Sequence, residues 1–504
     1  MEELRELVNI VNKQKLKGLN VMTNYAKKGK LNSLYNGVHS GKYTTDEEAI
    51  KAIYPTEKSA KDSYRKLKKR LIDQLVNTVL FIGASDGFTK SQQILYNCLK
   101  YSAAARIVRF RSGFKVSEML AKKTLKTAMQ LEQSVVVLEM LDLLRGLMSR
   151  KGDKRAFEKY DRLFQQYNQL VQAEYKAKGY LDHVVMLISR SAAMNEVIPL
   201  IREYEVELRQ IKLERTSSAF LAYSYLIYVD RCEFENDHKG LQENCEEIIN
   251  LLEERTSTNR TFIFVFLFKS LDTYRRFQQF EKGKEALQKS LAFISGKQSA
   301  NWVLVKSQYV RLCFFCNKIE EGYIGFQSVL ASKLLKRLSP AEQEPWEVYK
   351  AYFAWFKSIG GLVVEEEPKK GSFFRPGKFI NMVPIQNKDK AGYNASVLVL
   401  QLLFLIQMRN HDALIDKTEA LKAYAYRYLH QRQMYRTNCF VKLLLLIPSC
   451  YFNKTAIIRK SEPLLNKMSS RAVSEGSIST NMEIVPYEIL WAMVLDLLDN
   501  TFSK

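Results

Sequence analysis

The chain has 504 residues, with 77 Lys or Arg against 54 Asp or Glu, a formal charge of +23. Its 21 glycines and 10 prolines amount to roughly half the combined share of an average globular protein, about 12%, too few for the turns of an all-β sandwich or the glycine loops of a nucleotide-binding α/β enzyme. With 46% hydrophobic residues and a length beyond what one compact core sustains, the expected fold class is all-α, a helical-hairpin solenoid behind a small N-terminal helical domain.

The start, Met1 to Val11, is acidic where a secretory signal is basic, so no export is expected. Leu31 to Val38 predicts a short helix ended by Gly41. Thr44 with Glu47 and Thr45 with Glu48 are two overlapping capping boxes that open a second helix through Ala49 and Ile53, stopped by Pro55. Ser59 caps a third helix, where Tyr64, Leu67, Leu71, Leu75 and Val79 form one apolar face. Lys61, Arg65, Lys66, Lys68, Lys69 and Arg70 cover its other faces and form a candidate polyanion site. Phe81 to Gly87 marks the domain boundary, which gives a first domain of residues 1–88.

Residues 89–358 read as helices of 14 to 20 residues joined by brief polar turns. The best internal match pairs Phe280–Leu291 with Ile319–Leu330, placing Gly283 and Gly322 39 residues apart, each followed by large apolar residues four and eight positions on. A weaker copy precedes it at Leu241, Cys245, Ile248 and Ile249, and a degenerate one follows at Leu414, Thr418 and Leu421. These segments resemble the tetratricopeptide-like superfamily, whose second helix carries a small residue at the helix crossing and a large one a turn later, although the repeat here exceeds the usual length of about 34 residues. The resemblance implies a helical-repeat fold and no particular activity.

Residues 359–395 interrupt the array with three prolines and five glycines. There Lys369, Lys370, Arg375 and Lys378 interleave with Phe373, Phe374 and Phe379, a composition suited to an acidic protein partner or to stacking on bases. The stretch from Lys378 to Lys390 looks like uncharacterised bacterial helical-repeat proteins. Residues 396–504 return to helical texture as C-terminal repeats, broken by Pro448 and by Ser469 to Thr480.

Chemistry is sparse in the sequence. The five histidines are isolated, the seven cysteines scattered, and no phosphate-loop, dinucleotide or nucleophile-elbow motif occurs. Neither a metal nor any other cofactor is expected. Cys313-Phe-Phe-Cys316 reads as two thiols on a helix. The clusters Glu203, Glu205, Glu207 and Asp230, Glu233, Glu235, Asp237 read as solvated faces, and Tyr223, Tyr225, Tyr228, Tyr274 and Tyr309 as core. Gly83 to Gly87 reads as an interdomain turn. The apolar windows Phe262–Phe268, Val397–Ile406 and Leu443–Ile447 are short of the roughly 20 residues of a membrane span. With the cysteine usage, they point to a cytoplasmic protein without a membrane partner.

The positive charge falls in two blocks, +11 over residues 51–150 and +13 over residues 251–504, separated by −5 over residues 201–250. Such a surplus attracts polyanions with salt-sensitive affinity. Two functions are compatible with it. One is a non-enzymatic scaffold whose concave face and basic insert bind a protein or peptide. The other is a nucleic-acid-binding regulator with an N-terminal helix-turn-helix, whose three-helix spacing is similar to the winged-helix part of bacterial activators with a tetratricopeptide-like C-terminal region, though without a recognisable wing.

Overall fold

The structure, a computed structural model, describes residues 1–13, 29–56, 59–81, 90–190, 194–255, 260–294, 299–332, 334–363, 374–381, 393–428, 435–469 and 483–499. Among them every regular element is helical. In chain order these are α1 (Glu2–Lys13), α2 (Lys30–His39), α3 (Asp46–Ile53), α4 (Ala60–Phe81), α5 (Lys90–Phe110), α6 (Phe114–Gln130), α7 (Ser134–Lys151), α8 (Lys154–Ser189), α9 (Met194–Gln210), α10 (Ser218–Glu235), α11 (His238–Glu253), α12 (Arg260–Arg276), α13 (Phe280–Phe293), α14 (Ala300–Phe315), α15 (Ile319–Ala331), α16 (Pro340–Ser358), α17 (Pro376–Ile380), α18 (Tyr393–Gln407), α19 (His411–Tyr428), α20 (Tyr435–Ser449), α21 (Lys454–Ser469) and α22 (Tyr487–Asp499). They group into two compact units, Met1–Val171 and Gln172–Lys504. Most of the boundary expected at Phe81 to Gly87, including the turn from Gly83 to Gly87, lies outside the described residues.

In the first unit, α1 to α4 close on a core of Leu4, Val8, Leu34, Val38, Ile53, Leu71 and Leu75. Of the two overlapping capping boxes, the structure uses Thr45 with Glu48. The Glu48 backbone N–H donates to the Thr45 hydroxyl at 3.3 Å, and the Glu48 carboxylate accepts from the backbone N–H of Thr44 at 2.6 Å and of Thr45 at 3.3 Å. The Thr44–Glu47 alternative is displaced because Thr44 also turns its hydroxyl to Glu48, at 2.9 Å. Gly37 is the tightest point. A Cβ there would stand 2.0 Å from Cε2 of the buried Tyr43 ring. Gly37→Ala is therefore expected to cost about 1–3 kcal/mol, read as a lowered unfolding midpoint with loss of Tyr43 burial.

Successive helices pack in sequence, α5 on α6 and α6 on α7 in the first unit, and α10 through α15 in an unbroken chain of neighbours in the second. One turn recurs between paired helices. The N–H of Asp237 donates to the carbonyl of Cys232, that of Gln279 to Tyr274 and that of Lys318 to Cys313, each at 2.8 Å. The residue just before each donor is left-handed, with φ of 59° at Asn236, 54° at Gln278 and 53° at Asn317. This is the six-to-one bond of a Schellman ending, made without glycine. A left-handed L-residue costs about 1–2 kcal/mol, so Gln278→Gly is expected to hold or raise stability by up to about 1 kcal/mol in chemical denaturation.

The glycines of the internal match sit where close approach demands them. A Cβ on Gly283 would lie 2.3 Å from Leu312 Cδ2 of α14, and one on Gly322 would lie 2.9 Å from Cys313 Cβ and 3.5 Å from Phe353 Cζ of α16. Lys–Glu pairs tie neighbouring second helices, Lys282 to Glu246 at 2.9 Å and Lys284 to Glu321 at 2.8 Å. Helix α8 departs from the expected lengths, running 36 residues unbroken, since no proline interrupts it and its one glycine, Gly179, has open space around it. Around α14 to α22 one large core gathers Phe314, Tyr352, Phe353, Trp355, Phe356, Phe404, Phe440 and Trp491.

Candidate functional site

Of the six basic residues on α4, Lys61, Arg65, Lys66, Lys69 and Arg70 are exposed. Lys68 is not part of that surface. Its ammonium donates to both Asp46 carboxylate oxygens at 2.9 and 3.0 Å, and the Tyr64 hydroxyl donates to the same carboxylate at 2.6 Å. Burial works against the Asp46 charge, yet the bonds from Tyr64 and Lys68 hold its carboxyl below the usual carboxylate range. Lys68 thus joins α4 to α3.

In the 359–395 insert, Lys369, Lys370 and Phe373 lie outside the described residues. Arg375 and Lys378 are exposed at the short helix α17. The two described aromatics turn inward. Phe379 is buried, and Phe374 packs 5.3 Å from it and 5.4 Å from Phe404, centroid to centroid. Gln401, fully buried on α18, donates to the Phe379 carbonyl at 2.9 Å and accepts from Lys417 at 3.1 Å. Apolar burial outweighs any surface role for these rings, and the described part of the insert offers a partner two cations.

The carboxylate clusters read as solvated faces are mostly engaged. Glu205 accepts from Arg209 at 2.8 Å and from Arg231, Glu207 from Lys176 at 2.6 Å and Tyr180 at 2.5 Å, and Glu235 from Arg202 at 2.5 Å and Arg231 at 2.6 Å. Asp237 caps α11 through the Gly240 N–H at 2.9 Å. Glu203 alone among these acids matches the solvated reading, being exposed. Tyr225, Tyr228, Tyr274 and Tyr309 are buried, and Tyr223 is half-buried.

The deepest polar group lies on α10, α12 and α14 of the second unit. Lys269 on α12 reaches back to α10, donating to Asp230 at 3.0 Å and Glu233 at 2.6 Å. Burial disfavours its charge, but the two carboxylates outweigh burial and raise its pKa. One turn further along α12, Asp272 accepts from Arg275 at 2.5 Å and from Arg276 at 2.7 Å. Although burial opposes ionisation, these guanidiniums, with Arg311 of α14, hold the Asp272 carboxyl well below the usual carboxylate range. Arg275 is 2% exposed, and Arg276 and Arg311 are each 7% exposed. Burial, with Arg275 nearby, pulls the Arg311 guanidinium down to about 10. The Arg311 Nη2 and the Gln308 Oε1, one turn apart on α14, are buried and have no hydrogen-bond partner among the described residues.

These residues recur at the offset of the second-helix match. Glu233, Asp272, Arg311 and Lys350 are each 39 residues apart, as are Asp230, Lys269, Gln308 and Glu347. Equivalent places on α10, α12, α14 and α16 thus run from acid to base in the first series, whereas the second begins and ends on an acid. The 39-residue spacing, applied to the first helices as well as the second, is the signal that finds them. The CxxC pair stands apart from this cluster. Burial pushes Cys313 up to about 12 and Cys316 up to about 11, so neither thiol carries much thiolate at neutral pH. Among the described residues, no group of three His, Cys, Asp or Glu could hold a metal ion, and no helix is long and apolar enough to cross a membrane. No family model matches the chain, and no curated protein or solved structure matches it.

Proposed function

We propose that residues 218–358 form a tetratricopeptide-like helical-hairpin solenoid and that the chain is a non-enzymatic scaffold binding an acidic protein or peptide. The observation that carries this reading is the 39-residue register shared by both helices of the hairpin, Gly283 with Gly322 on the second helices and Asp272 with Arg311 on the first. A repeat of stacked hairpins presents equivalent positions along a line. Here Arg275, Arg276 and Arg311 are buried and brace the stack, and the exposed Arg375 and Lys378 present positive charge to an acidic partner. Such a preorganised surface leaves the ordering cost chiefly to a flexible partner.

A second reading keeps the N-terminal helices as a nucleic-acid-binding element. It is favoured by the five exposed cations of α4 on a core that α1 to α4 build among themselves. Binding of fluorescent poly-glutamate and of mixed-sequence duplex DNA to the full chain, titrated with salt, separates the two. Under the scaffold reading, Arg375→Glu with Lys378→Glu weakens poly-glutamate binding, and Lys66→Glu with Lys69→Glu and Arg70→Glu leaves it intact. Under the regulator reading the triple variant lowers the salt slope of DNA binding by about 3, each lost phosphate contact removing about 0.9. Poly-glutamate affinity that is unchanged in the double variant, together with a DNA slope reduced in the triple one, overturns the scaffold reading.

A further inference from the structure

We infer that the exposed side of α5, in the first unit, is a docking face for an acidic amphipathic helix of a protein partner. The face lies outside residues 218–358, so this goes beyond the scaffold reading and names a second surface with the shape and charge of what it takes.

Three features carry it. The first is an apolar stripe in the open. Leu99, Ala103, Ile107 and Phe110 follow one another at spacings of four, four and three residues, which puts them on one face of the helix. All four are exposed, Leu99 by 51%, Ile107 by 60% and Phe110 by 84%. The second is position. Helices α6 and α7 pack on the other side of α5, where Cys98, Ser102 and Ala105 are buried, the Ser117 hydroxyl of α6 donates to the Ala105 carbonyl at 2.8 Å, and Arg106 pairs with Glu139 of α7 at 3.2 Å. A helix at the edge of a packed layer ordinarily turns polar residues outward. Helix α5 turns out a second apolar face, the mark of an interaction surface. The third is charge. The 21 residues of α5 include no Asp or Glu, and Lys100 and Arg111 stand exposed beside the stripe, their side chains in no ion pair among the described residues.

Charge and shape decide among occupants. A second copy docking through the same helix sets Lys100 and Arg111 against cations like themselves, which costs affinity. A partner with Asp or Glu beside its own apolar stripe turns that repulsion into attraction. Ala103 decides the shape. Its short side chain leaves a dip between Leu99 and Ile107, and a helix lays a ridge of its own into such a dip. A fluid lipid surface gains nothing from it. The recognition is that of an amphipathic helix held by apolar anchors three and four residues apart, with the bordering charges fixing its register.

The test uses the full chain and a fluorescent synthetic helix that carries Leu at three- and four-residue spacing with Glu on both borders of the stripe, beside a peptide of the same composition in scrambled order. Binding is followed by anisotropy at about 150 mM salt, where exposed charges alone are largely screened. The ordered peptide is expected to bind several-fold tighter than the scrambled one. Ile107→Gln with Phe110→Gln changes two exposed positions, leaves the side facing α6 and α7 untouched, and is expected to weaken the ordered peptide about tenfold or more, with the circular dichroism of wild type. Lys100→Glu with Arg111→Glu is expected to weaken it as well and to flatten its salt dependence. Arg375→Glu with Lys378→Glu should leave this binding unchanged, so the two readings fail separately. Equal affinity for the two peptides, or wild-type affinity in the Ile107 and Phe110 variant, overturns the docking face. Phosphatidylserine vesicles that bind through Ile107 and Phe110 while the ordered peptide does not would make it a membrane surface, and a dimer in sedimentation that the same variant abolishes would give it to a second copy. Either result overturns the proposal.

Discussion

Asp272→Asn is expected to destabilise the second unit by about 3–5 kcal/mol, the range for removing one partner of a buried ionic group. The substitution conserves size and removes the carboxylate that accepts from Arg275 and Arg276 and whose charge also bears on Arg311, so these buried guanidiniums lose that anion. The measurement is the denaturant midpoint by tryptophan fluorescence, which reports selectively because Trp302, Trp346, Trp355 and Trp491 are the chain's four tryptophans and all lie in that unit. The pH dependence follows from the sign of the shift. Asp272 is depressed in the folded state, so its contribution is fully present above the unfolded carboxyl pKa of about 3.9 and is lost as pH falls through the lower folded value. Wild type and variant should therefore differ most at neutral pH and converge in acid below about pH 4. The double variant Asp272→Asn with Arg311→Met should lose less than Asp272→Asn alone, since it buries one fewer unbalanced cation. Equal losses would mean that Arg311 lies outside the electrostatic reach of Asp272.

How far the sequence discloses this arrangement depends on the range of the interaction concerned. Thr45 and Glu48 are three residues apart, and their box was legible as one of two candidates. The α4 face of Tyr64, Leu71 and Leu75 follows from helical spacing, and the Gly283 and Gly322 pair from internal similarity. Long-range partners were not legible. Lys68 looks like its neighbours Lys66 and Lys69 in any local window, and only the approach of α3 brings Asp46 to it from 22 residues away. Phe374 and Phe379 sit in a loop of polar composition that conceals their common neighbour, Phe404. The left-handed turn residues are Asn236, Gln278 and Asn317, so a search for glycine and proline passes over the turns that close the hairpins. Arg275 and Arg276 read locally as a solvated pair at the end of a helix. Their burial is set by α14, whose own contribution, Arg311, becomes visible once the 39-residue spacing is carried from the second helices to the first.

Trp355→Ala is expected to cost about 3–5 kcal/mol. Its side chain is fully buried in α16, stands edge-on to Phe356 with centroids 5.4 Å apart, and donates its indole N–H to the Leu403 carbonyl of α18 at 3.2 Å. Truncation opens a cavity at the contact between α16 and α18 and removes that bond. Trp355→Phe keeps most of the apolar volume and loses the donor, so it should cost distinctly less. The shape of the transition carries further information. In a stack of hairpins each repeat depends mainly on its neighbours, and a break between α16 and α18 uncouples α18 to α22 from α10 to α15. Unfolding of Trp355→Ala would then broaden, with Trp491 on α22 and Trp302 on α14 reporting different midpoints and the apparent m-value falling. A single cooperative core would instead shift its midpoint with m unchanged. The broadened transition supports the repeat architecture and places the tie at Trp355, whereas a parallel shift argues that the second unit folds as one body and that the 39-residue spacing reflects packing inside it.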